Sequence, residues 1–218
     1  MVFHFSSWRI FFFTAIITIV VSGCSLTQAK RAVLPAEKTL TPAEKLFRDR
    51  HHELAAIPNW SFTCRVAVQR DAEGWSATMH WVQQGQAFRL RIIAPLGRGT
   101  YEITREPDKV TLVDAENRIY SAATPEQLLR DATGWELPIS NIEYWVRGIL
   151  ASDANPSQLS LNDEGLVTDF AVQGWRVSVL DYVGVEDLQM PRKLFMNYDK
   201  AKVRLIISKW EFPVDEGR

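Results

Sequence analysis

The chain is short of cysteine, of histidine and of any long hydrophobic run, and each shortage narrows what it can be. Two cysteines, Cys24 and Cys64, stand in 218 residues, too few for a disulfide framework. The apolar run after Arg9, residues 10–21, carries no charge, but a mature membrane-spanning helix needs ~20 apolar residues. GxSxG, P-loop, HExxH and CxxC motifs are all absent. His51 and His52 are adjacent, so they face different sides of a helix, and the expectation for them is solvated surface. Asp131, Asp153 and Asp181 are scattered. These shortages argue against an enzyme and against a metal or other cofactor. Nor is there an excess of one charge: the formal net charge is −1, whereas a nucleic-acid binder shows a basic surplus.

What is present begins at the N-terminus. Arg9, a short apolar core and small residues at 22 and 23 make a secretory signal peptide. Val21-Ser22-Gly23-Cys24 resembles a bacterial lipobox, in which a peptidase cuts before the cysteine and the thiol carries diacylglycerol. The signal would then be 1–23, with Cys24 as the lipidation site. Several acyl chains hold a protein on a membrane stably, whereas one alone is marginal. Ser25 follows, not the aspartate that typically retains lipoproteins at the inner membrane. This implies the outer membrane, with the protein facing the periplasm. Cleavage removes Arg9 and no acid, leaving 24 basic against 26 acidic residues, a charge of −2. It also leaves Cys64 without an intrachain partner, a thiol best buried in an oxidising compartment.

Residues 24–41 lack a hydrophobic period and read as the lipidated N-terminus and a flexible tether. Thr41-Pro42-Ala43-Glu44 opens a helix with a capping box, which Pro58 ends. From Asn59 the period falls to 2. Trp60, Phe62, Cys64, Val66 and Val68 form the apolar face of a half-buried strand. Trp75 to Trp81, then Phe88, Leu90 and Ile92, then Tyr101 and Ile103 repeat the alternation across short turns. This parity puts Cys64 and His80 on opposite faces and excludes a dyad between them. Thr124-Pro125-Glu126-Gln127 opens a second helix containing Leu128 and Leu129, with Gly134 at its end. Ser140-Asn141-Ile142-Glu143 predicts a third capping box. Behind it Ile142, Trp145, Val146 and Ile149 make an amphipathic stripe. Strands return over 158–161, 166–172, 175–182, 193–198 and 202–212. The last is apolar on both faces, with Ile206, Trp210 and Phe212 opposite Val203, Leu205 and Ile207. It is expected to be buried on both sides, with the N-terminal helix as one candidate cover. Residues 213–218 are a polar tail. About ten or eleven antiparallel strands would curl or close, and pattern alone leaves open whether side chains or an apolar ligand fill the interior.

In this order, behind a lipobox, the residues resemble the outer-membrane lipoprotein receptor family LolB, over about Leu54 to Trp210. The resemblance rests on Arg65-Val66-Ala67-Val68, Trp81 with Gln83 and Gly85, Pro95-Leu96-Gly97, and Gly134 before Leu137-Pro138. Trp145-Val146-Arg147-Gly148, Trp175-Arg176-Val177, Met190-Pro191 and Ile206 with Trp210 complete it. Cys64 departs from the glycine that family usually places before the arginine. The resemblance implies an α+β, mainly β fold: a half-open antiparallel barrel over 42–212, with a helical lid over an apolar cavity. It implies a monomeric receptor that takes lipoproteins from the soluble carrier LolA and inserts them into the outer membrane's inner leaflet. Trp81, Phe88, Leu90, Ile103, Leu128, Trp145, Val146, Ile149, Trp175 and Trp210 are the expected acyl-chain residues. Leu96 has no strand face to bury it, and pattern alone favours a leucine folded back as a plug. The resemblance instead implies a membrane-inserting Pro95-Leu96-Gly97 loop, and the charge of Arg98 beside it suits anionic head groups. Two other readings stay open: a half-barrel lipoprotein carrying free lipid or glycolipid, and a non-catalytic adaptor in outer-membrane assembly.

Overall fold

The computed structural model describes residues 40–95, 99–134 and 137–212. The signal segment, Cys24, Leu96, Gly97, Arg98 and the tail 213–218 lie outside the described residues, as does the tether up to residue 39. Helix α1, Pro42–Ala55, starts as the sequence predicts. The Thr41 hydroxyl accepts from the Glu44 N–H, and the Glu44 carboxylate accepts from the Thr41 N–H at 2.7 Å.

Eleven strands follow: β1 Asn59–Arg70, β2 Glu73–Gln84, β3 Ala87–Ile93, β4 Thr100–Glu106, β5 Lys109–Val113, β6 Ile119–Ala122, β7 Gln158–Leu161, β8 Val167–Val172, β9 Trp175–Val185, β10 Leu188–Tyr198 and β11 Ala201–Glu211. They form one antiparallel sheet in the order β6-β5-β4-β3-β2-β1-β11-β10-β9-β8-β7. The β8–β9 turn shows why neighbours pair so tightly. Gln173 and Gly174 have φ of 50° and 82°, the positive pair a two-residue hairpin turn demands. Between the two edge strands the chain passes through α2, Pro125–Thr133, and α3, Ile139–Trp145.

Contacts of α3 reveal the curvature. Glu143 on α3 reaches Arg105 on β4, while Trp145 touches Phe170 on β8. β4 and β8 are seven strand intervals apart in the sheet order, roughly 34 Å in a flat sheet. A helix of 7 residues is only ~10 Å long. The sheet therefore wraps around the helices as a half-barrel that does not close.

Several details depart from the sequence reading. β11 is not buried on both faces: Ile206 is exposed, whereas Val203, Leu205, Ile207 and Trp210 are buried together. A register shift does this. Thr63 pairs with Lys209 but Cys64 with Ile207, so Ser208 is an extra residue and Trp210 swings onto the covered face. Its indole N–H donates to the Pro191 carbonyl at 3.0 Å. Nor does α1 cover the outside of β11. It lies over the β7–β8 turn, where Gly165, at φ +73°, leaves no room for a Cβ: one would sit 2.5 Å from Leu46 Cβ and 2.8 Å from the Phe47 nitrogen. The third capping box is also absent. α3 has Pro138 at its cap position and no side-chain cap; the Glu126 carboxylate of α2 accepts from the Ser140 N–H at 2.7 Å instead. α3 ends at Trp145, so Ile149 is buried from the turn that follows it.

Candidate functional site

The covered face of the sheet is built by period-2 alternation. On β2 it presents Met79, Trp81 and Gln83; on β3, Phe88, Leu90 and Ile92; on β1, Trp60, Phe62, Cys64 and Val66. Cross-strand pairing, and the i, i+2 spacing of Trp210 and Phe212, line their rings up. Phe88 and Trp81 have centroids 4.4 Å apart, Trp81 and Phe62 6.1 Å, Phe62 and Trp210 5.2 Å, and Trp210 and Phe212 6.1 Å. Such offset and tilted pairs add stability beyond their buried area. A second aromatic group links helix to sheet: Trp145 lies 5.6 Å from Phe170 and 6.0 Å from Trp175, which stacks on Tyr198 at 5.1 Å.

The structure brings all ten expected acyl residues into one apolar layer. Trp81, Phe88, Leu90, Ile103, Leu128, Trp145, Val146, Ile149, Trp175 and Trp210 are each no more than 8% exposed. Cavities open at both rims of this layer. One of about 790 Å³ has Trp60, Gln83, Trp210 and Phe212 in its wall. Another of about 790 Å³, at the opposite rim, is lined by Val68, Trp75, Ile92, Tyr101 and Pro95. Pro95 is thus the one residue of the expected insertion loop that the structure describes, and it stands at this second rim.

Polar groups fasten the helices to the sheet at a few points. The Arg105 guanidinium donates to Glu143 Oε2 at 2.7 Å and lies 4.6 Å above the Phe88 ring. Arg147 is buried; its Nη1 donates to the Leu54 carbonyl at 2.8 Å, its Nε to the Glu143 carbonyl at 3.0 Å, and its guanidinium lies 4.9 Å from the Trp60 ring centre. Burial pulls the Arg147 pKa down, and Glu143 and Tyr144 partly offset this. Arg50 of α1 donates to the carbonyls of Arg147 and Gln189. The Tyr182 hydroxyl donates to the Val167 carbonyl at 2.8 Å, and burial pushes its pKa up. Gly148, at φ +69°, lets the end of the helical segment sit against Tyr182 and Pro191. Inside the layer, Trp81 Nε1 donates to Gln83 Oε1 and Gln83 Nε2 to the Gly85 carbonyl, both at 2.8 Å, which explains a buried glutamine among rings.

Sequence reasoning misses the fastening roles of Arg105, Glu143 and Arg147. The predicted capping pattern absorbs Glu143, and Arg147 stands in the Trp145-Val146-Arg147-Gly148 motif without a role. His51 also differs from expectation. It is half-buried, and its Nε2 lies 2.7 Å from the Leu150 carbonyl. His80 pairs with Thr63 at 3.0 Å on the outer face while Cys64 is buried on the inner one, as parity requires. Burial pushes the Cys64 thiol well up, so it stays protonated. Among the described residues no group of three His, Cys, Asp or Glu is placed to hold a metal, and no helix is long and apolar enough to cross a membrane.

Comparison with known proteins matches residues 58–210 to the family described as "Outer membrane lipoprotein LolB". A protein of Nitrosococcus oceani named "Outer-membrane lipoprotein LolB" is 32% identical over 168 residues, covering 77% of this chain and 84% of that protein. One of the same name from Pseudomonas savastanoi pv. phaseolicola is 30% identical over 192 residues, covering 88% and 91%. Among solved structures, a LolA-superfamily protein from Nitrosomonas europaea superimposes with a TM-score of 0.51 at 7% identity, covering 80% of this chain and 94% of that one. This last likeness speaks for the fold alone.

Proposed function

The chain belongs to the LolB family of outer-membrane lipoproteins, and from that premise we propose that it accepts lipoproteins from a LolA-type periplasmic carrier and inserts them into the outer membrane. It is a lipid-anchored protein of the outer membrane, a transport protein and not an enzyme. Cys24 is the residue assigned to the anchor, and the Pro95-Leu96-Gly97 loop to membrane insertion.

The observation that supports the receptor reading best is the apolar layer between the wrapped sheet and α3. Apart from Arg105–Glu143, Asn141–Gln173 at the β8–β9 turn and the hydrogen bonds of Arg147 and Arg50, the contacts between α3 and the sheet are mainly apolar packing. Parting the two would uncover Trp81, Trp145 and their neighbours without breaking a strand pair. Acyl chains could then fill the gap and pack against the same side chains. Each acyl methylene leaving water contributes roughly 0.8 kcal/mol, so a lipoprotein cannot be released into the periplasm. It must pass from one apolar site to another, and a site lined by side chains without directional bonds can both accept and let go.

In vitro transfer of a labelled lipoprotein from its carrier to this protein tests the reading. Label should move to this chain and then to outer-membrane vesicles. A protein that takes up free lipid or glycolipid but never receives label from the carrier would be a lipid binder and not this receptor.

A further inference from the structure

Arg65 opens the Arg65-Val66-Ala67-Val68 run, yet nothing in the acyl layer uses it. Parity turns it to the outer face of the sheet, where it is exposed. There it pairs with Thr78 on β2 and Ile206 on β11, while Ala67, on the same face, pairs with Arg204. Arg65, Arg204, Ser76, Thr78, Ile206 and Pro95 share the wall of a cavity of about 450 Å³. Among the described residues no acidic one is in that wall, and neither arginine makes an ion pair. Two like charges placed diagonally on neighbouring strands repel one another. Among the described residues no acidic side chain pairs with either arginine to offset this, and a ligand that does so is an anion.

The geometry says more about which anion. Guanidinium forks match a phosphate, and the hydroxyls of Ser76 and Thr78 add donors. Pro95 lines this basic recess and also the 790 Å³ cavity of Val68, Trp75, Ile92 and Tyr101 on the other side of the sheet rim. A basic recess and a mainly apolar cavity that share Ala67, Ser76, Ala77, Ala94 and Pro95 in their walls suit an amphiphile with a charged head. Ile206, 44% exposed, extends an apolar contact beside the arginines. We propose that Arg65 and Arg204 bind the phosphate of an anionic phospholipid headgroup and so seat this rim of the half-barrel on the bilayer. The inference rests on the reading that the protein works at a membrane surface.

Vesicle flotation tests it, with the mature chain carrying Cys24→Ala so that the anchor does not mask weak binding. The chain should bind vesicles of equal phosphatidylcholine and phosphatidylglycerol better than vesicles of phosphatidylcholine alone. Arg65→Gln with Arg204→Gln should lower partition onto the mixed vesicles about 30-fold, equivalent to ~1 kcal/mol for each basic residue near an anionic surface. Lys45→Gln with Arg48→Gln, which removes two exposed charges from α1, should change it little. Equal loss in both pairs would mean general attraction and overturn the site. Displacement by inorganic phosphate at matched ionic strength would make it a soluble-phosphate site and also overturn the proposal. If the double glutamine variant does not fold, Arg65→Lys with Arg204→Lys must still lose part of the gain, because lysine keeps the charge but not the fork. Carrier-to-receptor transfer is measured on the same proteins. Normal acceptance without the headgroup effect sinks this inference alone, and failed acceptance by the unaltered protein sinks the receptor reading alone.

Discussion

Arg105 on β4 and Glu143 on α3 form an ion pair of 2.7 Å, with side chains 24% and 11% exposed, and it ties the covering helix to a strand far along the sheet from the aromatic contacts of Trp145. The charges are largely but not fully withdrawn from water, so removing one should cost about 1–2 kcal/mol, less than the loss of half of a fully buried pair. Glu143→Gln should lower the Tm, and a double-mutant cycle with Arg105→Ala should show coupling of that size. Alkylation of Cys64, buried on the inner face, should speed up in Glu143→Gln if the helix leaves the sheet more often. Unchanged thiol reactivity would show that the pair stabilises the fold without controlling the opening.

Trp145 bridges the helix to Phe170 and Trp175. Trp145→Ala should cost about 3–5 kcal/mol, leave circular dichroism native at room temperature, and weaken binding of an acyl probe. A variant that stays folded and binds the probe as tightly as the parent would remove Trp145 from the acyl site.

Leu96→Glu tests the insertion loop. One leucine passing from water into lipid is worth ~1.5–3 kcal/mol, too little to anchor the protein but enough to orient it. The variant should accept lipoprotein from the carrier normally and deliver it to vesicles poorly. Loss of acceptance or of folding would make the loop a plug or a docking element.

Cys24→Ala should abolish lipid attachment, and mass spectrometry of the unaltered mature protein should show an N-terminal acylated Cys24. Any other mature N-terminus refutes the lipobox assignment.

Asp114 gives a pH signature. Burial alone would raise its carboxyl, but hydrogen bonds from the backbone and side chain of Arg118, the Glu116 N–H and the Tyr120 hydroxyl outweigh that and lower its pKa. A carboxylate with a depressed folded pKa contributes stability above its unfolded value, ~3.9, and loses it as pH falls through the folded value. Asp114→Asn should therefore be less stable than the parent near neutrality, and the gap should narrow on acidification. A gap constant with pH would show that the turn depends on packing and not on charge.

The sequence by itself was enough for the local order. Alternation along Trp60 to Val68 and Trp75 to Trp81 defines strands and the side each residue faces, because successive side chains on a strand must point opposite ways. Thr41 with Glu44, and Gly134, mark helix ends through bonds made within a few residues. Parity alone also excludes a Cys64–His80 dyad. Tertiary structure decided what depends on distant partners. The extra residue at Ser208, which turns Trp210 inward, is invisible to a strict period of two. The cap of α3 comes from Glu126 on another helix, and this frees Glu143 for Arg105. Which strands α3 touches follows from the curl of the whole sheet, which no window of sequence contains. The role of Arg65 is of the same kind: its exposure is local, but only the folded sheet sets it beside Arg204 and Pro95.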